Sequence, residues 1–290
     1  LVLVAPDKRA YHSALMGFGT IVAGYGAGAP RVLAPWEAAE WEVESIDEAG
    51  LELAFAVASD AGADFAYLPA EGRKKRLLIA DMDSTIIGCE CLDELADYAG
   101  KKAEISAITE RAMRGELDFE AALIERVDQL KGLSVKALSA CFEERVRLNP
   151  GAETLVATMR KHGGRAVLVS GGFGYFTSRV AALAGFDAER GNTLLVADGA
   201  LTGDVGRPIL GREAKLHALR EECAALGIEP DEAIAIGDGA NDLAMIQAAG
   251  LGVAYHAKPI VAAKARASIR FTGLVSALFF QGYRRADFAA

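Results

Sequence analysis

Four groups of residues in the 290-residue chain carry side chains able to do chemistry. The first is Asp81-Met-Asp83-Ser-Thr85, where two carboxylates stand two residues apart. Two such acids repel unless a cation or a proton intervenes. They read either as a metal-dependent site with a carboxylate nucleophile or as solvated aspartates at a turn. The second is Ser170-Gly-Gly-Phe173, which offers a hydroxyl and free backbone N–H groups to an anion, or is a plain glycine-rich turn. The third is Lys215, in the first turn of a helix, where the macrodipole disfavours a cation. A solvated lysine is the default, but such local violations tend to mark function. The fourth is Gly237-Asp-Gly-Ala-Asn-Asp242, with Asn241 and Asp242 in the first turn of the next helix. Its glycines permit a tight turn and close backbone approach. Together the four supply what phosphoryl transfer needs: a nucleophile, cationic stabilisation of the equatorial oxygens and a proton donor. Aspartate oxygens suit Mg2+, and that ion with Lys215 is required to admit a phosphate dianion among so many carboxylates.

The elements that must position these groups are those of a parallel sheet. Leu77–Ala80, after Lys74, Lys75 and Arg76, is an apolar run without helical spacing and reads as a strand buried on both faces. Ala166–Val169 and Ala233–Ile236 read the same way, and ligands bind beyond the carboxyl ends of such strands. If the chain stays extended past Ala80, Asp81 and Asp83 share a face. One helix follows with Phe176, Val180 and Leu183 inward, and another from Arg212 with Leu216, Leu219, Cys223 and Leu226 at core spacing. Leu194–Ala197 and Leu201–Val205 read as a hairpin around Asp198-Gly199, and Leu251–Ala254 and Ile269–Phe271 as the last strands. From Gly88 to Pro150 helical periodicity predicts four helices, Cys91–Ala99, Ala103–Arg114, Phe119–Leu130 and Val135–Val146. Asp118 and Ser134 cap the last two, and the block reads as an inserted cap at about residues 89–149. Arg126 falls within the apolar stripe of Phe119, Leu123, Val127 and Leu130. A guanidinium there needs an anionic partner, unless its stem snorkels or pairs with a neighbouring acid.

Asp81-Met-Asp-Ser-Thr-Ile, Ser170-Gly-Gly-Phe, Lys215 and Gly237-Asp-Gly-Ala-Asn-Asp242 resemble, in order, the four motifs of the haloacid-dehalogenase superfamily, from Leu77 to about Phe271. Glu90, Asp118-Phe-x-x-Ala-Leu-x-x-Arg126-Val-x-x-Leu-Lys-Gly132 and Leu201-Thr-Gly-Asp-Val205 are similar to the marks of its phosphoserine phosphatases. The resemblance implies an α/β fold, a doubly wound, mostly parallel Rossmann-like sheet with an inserted helical cap. It implies hydrolysis of O-phosphoserine, the last step of serine biosynthesis, through an aspartyl-phosphate. Asp81 would be the nucleophile and Asp83 the general acid and then base. Mg2+ would be held by the Asp81 and Asp238 carboxylates and the Asp83 backbone carbonyl, with Asp242 behind them. Ser170, Gly171, Lys215 and Asn241 would hold the phosphoryl oxygens. Glu90 and Arg126 would take the substrate's ammonium and carboxylate, with Met113 and Phe119 as apolar walls.

Residues 1–72 lie outside the resemblance. They parse as strand (Leu1–Val4), helix (Ala10–Ala23), strands (Arg31–Ala34 and Trp41–Glu44), helix (Ile46–Ser59, with Leu51, Leu53, Ala54 and Val57 on its apolar face) and strand (Phe65–Leu68). That βαββαβ order predicts a small ferredoxin-like α+β domain, similar to ACT-type domains, with the basic run Arg73–Arg76 as its linker to a core at 73–290. Gly17–Gly28 reads as a pliable stretch rather than a phosphate cradle, because no strand leads into it in register.

A formal charge of −9 argues against nonspecific nucleic-acid binding and against an anionic lipid surface. No apolar run reaches membrane-spanning length and Leu1–Ala5 is too short for a signal-peptide core, so a cytoplasmic protein is expected. Cys89, Cys91, Cys141 and Cys223 form no Cys-x-x-Cys pair and read as reduced thiols, and His12, His162, His217 and His256 as structural or surface residues. A homodimer through the N-terminal domain stays open. So do a phosphatase or phosphotransferase acting on another small phosphomonoester and an amino-acid-sensing protein with a vestigial core.

Overall fold

The computed structural model describes residues 1–114 and 116–289, with the side chains of Met113 and Arg212 outside the description. The chain opens with β1 (Val2–Val4), α1 (Lys8–Ala23), β2 (Arg31–Ala34), β3 (Ala38–Glu40), α2 (Glu48–Ala61) and β4 (Asp64–Ala66). Asp7 and Asp47 cap the two helices by accepting from backbone N–H groups of their first turns. The strands lie in the antiparallel order β2-β3-β1-β4, the ferredoxin-like arrangement expected of βαββαβ.

Three local expectations are corrected here. The third strand is Ala38–Glu40 and not Trp41–Glu44, because pairing with β1 (Val2 opposite Glu40, Val4 opposite Ala38) overrides the weak strand preference of Ala-Ala-Glu. Trp41 instead stacks on Phe18 in the layer between helices and sheet. Gly17 and Gly19 are helical rather than pliable, and a Cβ on Gly17 would lie 2.6 Å from Val57 Cγ1, so the glycine lets α1 and α2 touch. The buried face of α2 runs through Gly50, Ala54 and Ala58, which leaves Leu53 exposed.

The core begins with β5 (Leu77–Ala80) and a single π-type turn at Met82–Ile86. Helices α3 (Cys91–Tyr98), α4 (Lys102–Met113), α5 (Phe119–Asp128) and α6 (Val135–Arg145) form the cap, and Asp118 and Ser134 cap α5 and α6 as expected. The chain returns through α7 (Ala152–Lys161), β6 (Arg165–Phe173), α8 (Gly174–Ala184), β7 (Ala188–Asn192), the hairpin β8 (Leu194–Ala197) and β9 (Ala200–Val205), and α9 (Arg212–Leu226). It ends with β10 (Ala233–Gly237), α10 (Leu243–Ala248), β11 (Leu251–Tyr255), α11 (Pro259–Ala262), β12 (Ala267–Ile269) and α12 (Ser276–Phe280). Helices α7, α11 and α12 and strand β7 have no counterpart in the sequence reading. Leu183 points outward, and the last strand stops at Ile269 rather than reaching Phe271.

Strand β5 lies between β10 and β6, parallel to both. Its side chains alternate between two buried layers. Leu78 and Ala80 face Phe173, Phe176, Phe279 and Phe280, whereas Leu77 and Ile79 face Leu219, Cys223 and Met245. A continuous apolar run is what burial on both faces demands. No helix among the described residues is long and apolar enough to cross a membrane.

The N-terminal unit is not appended by a loose linker. Among the described residues, ten strands form one sheet in the order β2-β3-β1-β4-β12-β11-β10-β5-β6-β7, with Ala66 of β4 paired to Ala267 of β12. Val2, Val4, Leu33 and Ala66 share one apolar cluster with Leu78, Ile234 and Phe280. Arg73, read as linker, ion-pairs with Glu40 at 2.8 Å and donates to the carbonyls of Phe279 and Phe280. Asp64 is 2% exposed, and its carboxylate accepts from the backbone N–H groups of Arg270, Phe271 and Thr272 and from the Thr272 hydroxyl. Burial raises its pKa, while those donors pull it back. Asp64→Ala would strand the N–H groups. It is expected to destabilise the protein by about 2–4 kcal/mol, read as a shifted midpoint in urea unfolding. A loss of under ~0.5 kcal/mol would mean water takes over those donors.

Candidate active site

The carboxyl ends of β5, β6 and β10 meet in one crevice. Lys215, 2% exposed, enters it from α9 and touches two carboxylates: Asp81 Oδ1 at 2.6 Å and Asp242 Oδ1 at 2.5 Å. Burial alone would lower the pKa of this ammonium, but the two acids hold it above its ordinary value. Asp81, directly after β5, is pushed up chiefly by burial and then by Asp242, against the pull of Lys215. Its Oδ1 also accepts from Met82 N at 2.8 Å, and Oδ2 accepts no hydrogen bond among the described residues.

Asp238 follows β10 and is half-buried, its pKa raised by burial and by Asp242. Asp81, Asp238 and Asp242 each bring one oxygen within 4.8 Å of the others, a set of hard donors that fits a divalent cation. Asp242 has both oxygens committed, one to Lys215 and the other to Gly239 N at 3.0 Å. Asp81 and Asp238 are therefore the acids with an oxygen left to offer. Asn241 and Asp242 lie in the turn before α10 and not within its first turn: Asp242 is the N-cap residue, and its carboxylate goes to Lys215 and Gly239 N, making no side-chain cap bond to the helix. The Asn241 amide oxygen folds back over Gly239, where a Cβ would meet it at 2.2 Å.

Asp81 and Asp83 have extended dihedrals, but the helical turn opens at Met82 between them, so the strand does not continue past Ala80 and strand alternation is not what places the two acids. Ser84 then turns the chain, with φ at +56°. The Asp83 carboxylate accepts from Cys91 N (2.9 Å) and from Ser170 Oγ (3.2 Å). Burial raises its pKa against those donors. Ser170 in turn accepts from Gly172 N at 2.8 Å. A Cβ on Gly171 would lie 2.9 Å from Phe119 Cζ, and one on Gly172 would lie 2.9 Å from Asp83 Oδ2. Both glycines are thus required for close approach, and Phe119 brings the cap down onto the first of them.

On the cap, Arg126 is partly buried and donates to Ala122 O at 3.1 Å. It forms no ion pair among the described residues; burial lowers its pKa, while the charges of Asp93 and Glu90 raise it. Of the readings open for Arg126, pairing with a neighbouring acid is not what the structure shows. Glu90 accepts from Ser84 Oγ at 2.6 Å, and burial followed by the charge of Asp83 pushes its carboxyl up to about 7. The Met113 side chain lies outside the described residues. Sequence reading did not reach the Cys91 N–H, a backbone donor invisible in residue types, or the grip of Ser84 on Glu90, which depends on a left-handed turn.

Residues 78–247 match the family model of haloacid dehalogenase-like hydrolases. The chain belongs to that family. It is 50% identical over 204 residues to a phosphoserine phosphatase of a Polaromonas species, an alignment covering 69% of this chain and 86% of the relative. A solved haloacid dehalogenase family hydrolase of Salmonella enterica serovar Typhi superposes with a TM-score of 0.85 at 30% identity, over 96% of both chains. A probable phosphoserine phosphatase of Vibrio cholerae superposes with a TM-score of 0.75 at 37% identity, over 85% of this chain and 75% of that one. By sequence and by structure the chain is closely related to phosphoserine phosphatases, and its aspartate cluster is typical of phosphatases of the family.

Lys215→Met would leave Asp81 and Asp242 buried without their shared cation. The expected cost is about 3–5 kcal/mol at pH 8 without added metal, measured by urea unfolding. Freed of Lys215, which pulls it down, buried Asp81 has a folded-state pKa further above its unfolded one. The folded variant therefore binds more protons than the unfolded chain, and its deficit should shrink as pH falls from 8 towards the ordinary carboxylate range. A deficit independent of pH would show that lost packing, not unpaired charge, is the cause.

Proposed function

We propose that the protein hydrolyses O-phosphoserine to serine and inorganic phosphate, with Mg2+ as its cofactor. The observation that carries the reading is Arg126: a partly buried guanidinium on the cap, without an acid partner among the described residues, on the element whose Phe119 rests against Gly171. A planar fork without an acid suits a substrate carboxylate, and Glu90 suits an ammonium; together they describe the two charged ends of an amino acid.

The Asp81 carboxylate attacks phosphorus through one of its oxygens; the new O–P bond forms as the bond to the serine oxygen breaks. Asp83 gives its proton to the departing oxygen, then takes one from the water that attacks the aspartyl-phosphate, which releases phosphate and restores Asp81. Lys215, Ser170, Gly171 and Asn241 hold the phosphoryl oxygens, and Asp242 orients Lys215. The Asp81 and Asp238 carboxylates and the Asp83 backbone carbonyl would hold Mg2+, which would supply charge neutralisation. Phe119 walls the substrate. Residues 1–72 are proposed as an ACT-like domain, with the catalytic core at 73–290, and the enzyme as one acting in the cytoplasm. Phosphoethanolamine, which lacks a carboxylate, would leave Arg126 without a role, so the free guanidinium favours the amino acid.

Asp81→Asn is expected to abolish turnover while the circular dichroism spectrum stays native, since an amide is neither a nucleophile nor a full metal ligand. Substantial residual phosphatase activity would sink the covalent route. Arg126→Ala should lower kcat/KM for phosphoserine by at least about tenfold, since a charge-assisted contact contributes about 2–3 kcal/mol. The same change should scarcely alter hydrolysis of an aryl phosphate measured alongside it. An equal loss on both substrates would assign Arg126 to cap closure and remove the main support for phosphoserine.

A further inference from the structure

Asn192 closes β7 and is 1% exposed. Its amide is consumed by three backbone groups: Nδ2 donates to Gly171 O at 2.8 Å and Leu210 O at 3.2 Å, and Oδ1 accepts from Leu210 N at 2.7 Å. The partners dictate the orientation, since an N–H can only donate and a carbonyl can only accept. Gly171 O and Gly172 N belong to the same planar peptide unit. Asn192 grips one side of that plane, while Gly172 N on the other side donates to Ser170 Oγ, whose hydroxyl donates on to Asp83 Oδ2. A rotation of this single peptide would therefore remove the N–H donor that helps fix the Ser170 hydroxyl towards Asp83. The second end of the amide holds Leu210, next to Gly211, which precedes α9 and Lys215. Phe119 lies against both Gly171 and Gly211.

We infer that Asn192 is a positioning residue for the chemical step. One side-chain amide sets the 171–172 peptide, and with it the Ser170 hydroxyl, against the segment that delivers Lys215. Among the described residues the Asn192 amide bonds to backbone alone and to none of the acids. The inference rests on the phosphomonoester chemistry proposed above and concerns the phosphoryl half of any substrate, so it does not depend on serine.

The test is kinetics of Asn192→Ala and the size-matched Asn192→Asp, with Mg2+ saturating, on phosphoserine and on an aryl phosphate. Folding is checked by circular dichroism and thermal melting. In Asn192→Asp the carboxylate keeps the acceptor for Leu210 N but cannot donate to Gly171 O, so it should not rescue. The expected result is a fall in kcat of at least about tenfold on both substrates, with their ratio of kcat/KM unchanged. A merely structural role would lower Tm and leave kcat per folded molecule intact. Native kcat in whichever variant is folded would overturn the inference, as would a loss confined to phosphoserine, which would point to Phe119 and the cap instead. If the unsubstituted protein hydrolyses the aryl phosphate but not phosphoserine, the substrate reading fails while the aryl phosphate still decides the role of Asn192.

Discussion

The site depends on one buried ammonium. Lys215 sits between Asp81 and Asp242, each within 2.6 Å, in a crevice where Asp83 and Asp238 add further negative charge. Stripping water from these groups is expensive, and mutual attraction offsets the cost only if geometry is tight and the remaining lone pairs are satisfied. Most are: Asp81 takes the Met82 N–H, Asp242 the Gly239 N–H, and Asp83 the Cys91 N–H and Ser170 hydroxyl. The surplus of carboxylates over cations is what makes the crevice suited to a divalent ion, since a bound cation would relieve the repulsion that burial amplifies. The same imbalance explains why Lys215 stands in the first turn of a helix despite the dipole: the acids beneath it outweigh a macrodipole contribution of under about 1 kcal/mol.

Around that centre the cap is attached at more points than its two connecting strands. The hairpin β8–β9 belongs to the core in sequence, yet it bonds to the cap loop between α5 and α6, with Gly132 N on Leu201 O, Leu201 N on Leu133 O and Val135 N on Gly199 O. Ser139 of α6 and Tyr175 of α8 share a hydrogen bond at 2.8 Å. At the connecting strands, Gly88 N donates to Arg147 O and the Asn149 amide to Thr85 O, in the turn that carries Asp83. Cap position and the dihedrals of the Met82–Ile86 turn are consequently held by one set of bonds.

The N-terminal unit is joined as firmly. A ferredoxin-like sheet has one face covered by its own helices and one face open. Here Leu3, Phe18 and Trp41 fill the covered side, and Val2, Val4 and Leu33 on the other side share the apolar cluster of the core. With β4 paired to β12 and Asp64 collecting three N–H groups beyond that strand, the unit also covers what would otherwise be a sheet edge.

Much of the site was legible in the residues because its chemistry and its local structure coincide. The short apolar runs before Asp81, Ser170 and Asp238, without helical spacing, read as buried strands that deliver polar groups, although β6 runs on through Ser170 to Phe173, and the helical period of 91–145 needs no tertiary information to be seen. Asp118 and Ser134 marked their helices for the same local reason. Other features depend on distance in space. That Asp242 would give both oxygens to Lys215 and Gly239, that Arg126 would pair with no acid among the described residues, and that Ala38–Glu40 would pair in preference to Trp41–Glu44 were decided by what each met across the fold. Leu53 and Leu183 are apolar and exposed because burial follows the packed neighbour and not the side chain's own preference. Asn192 shows the limit most plainly: an asparagine at the end of an unread strand has no local signature, and its significance lies wholly in the two backbone segments, 18 and 21 residues away, that only tertiary folding brings to its amide.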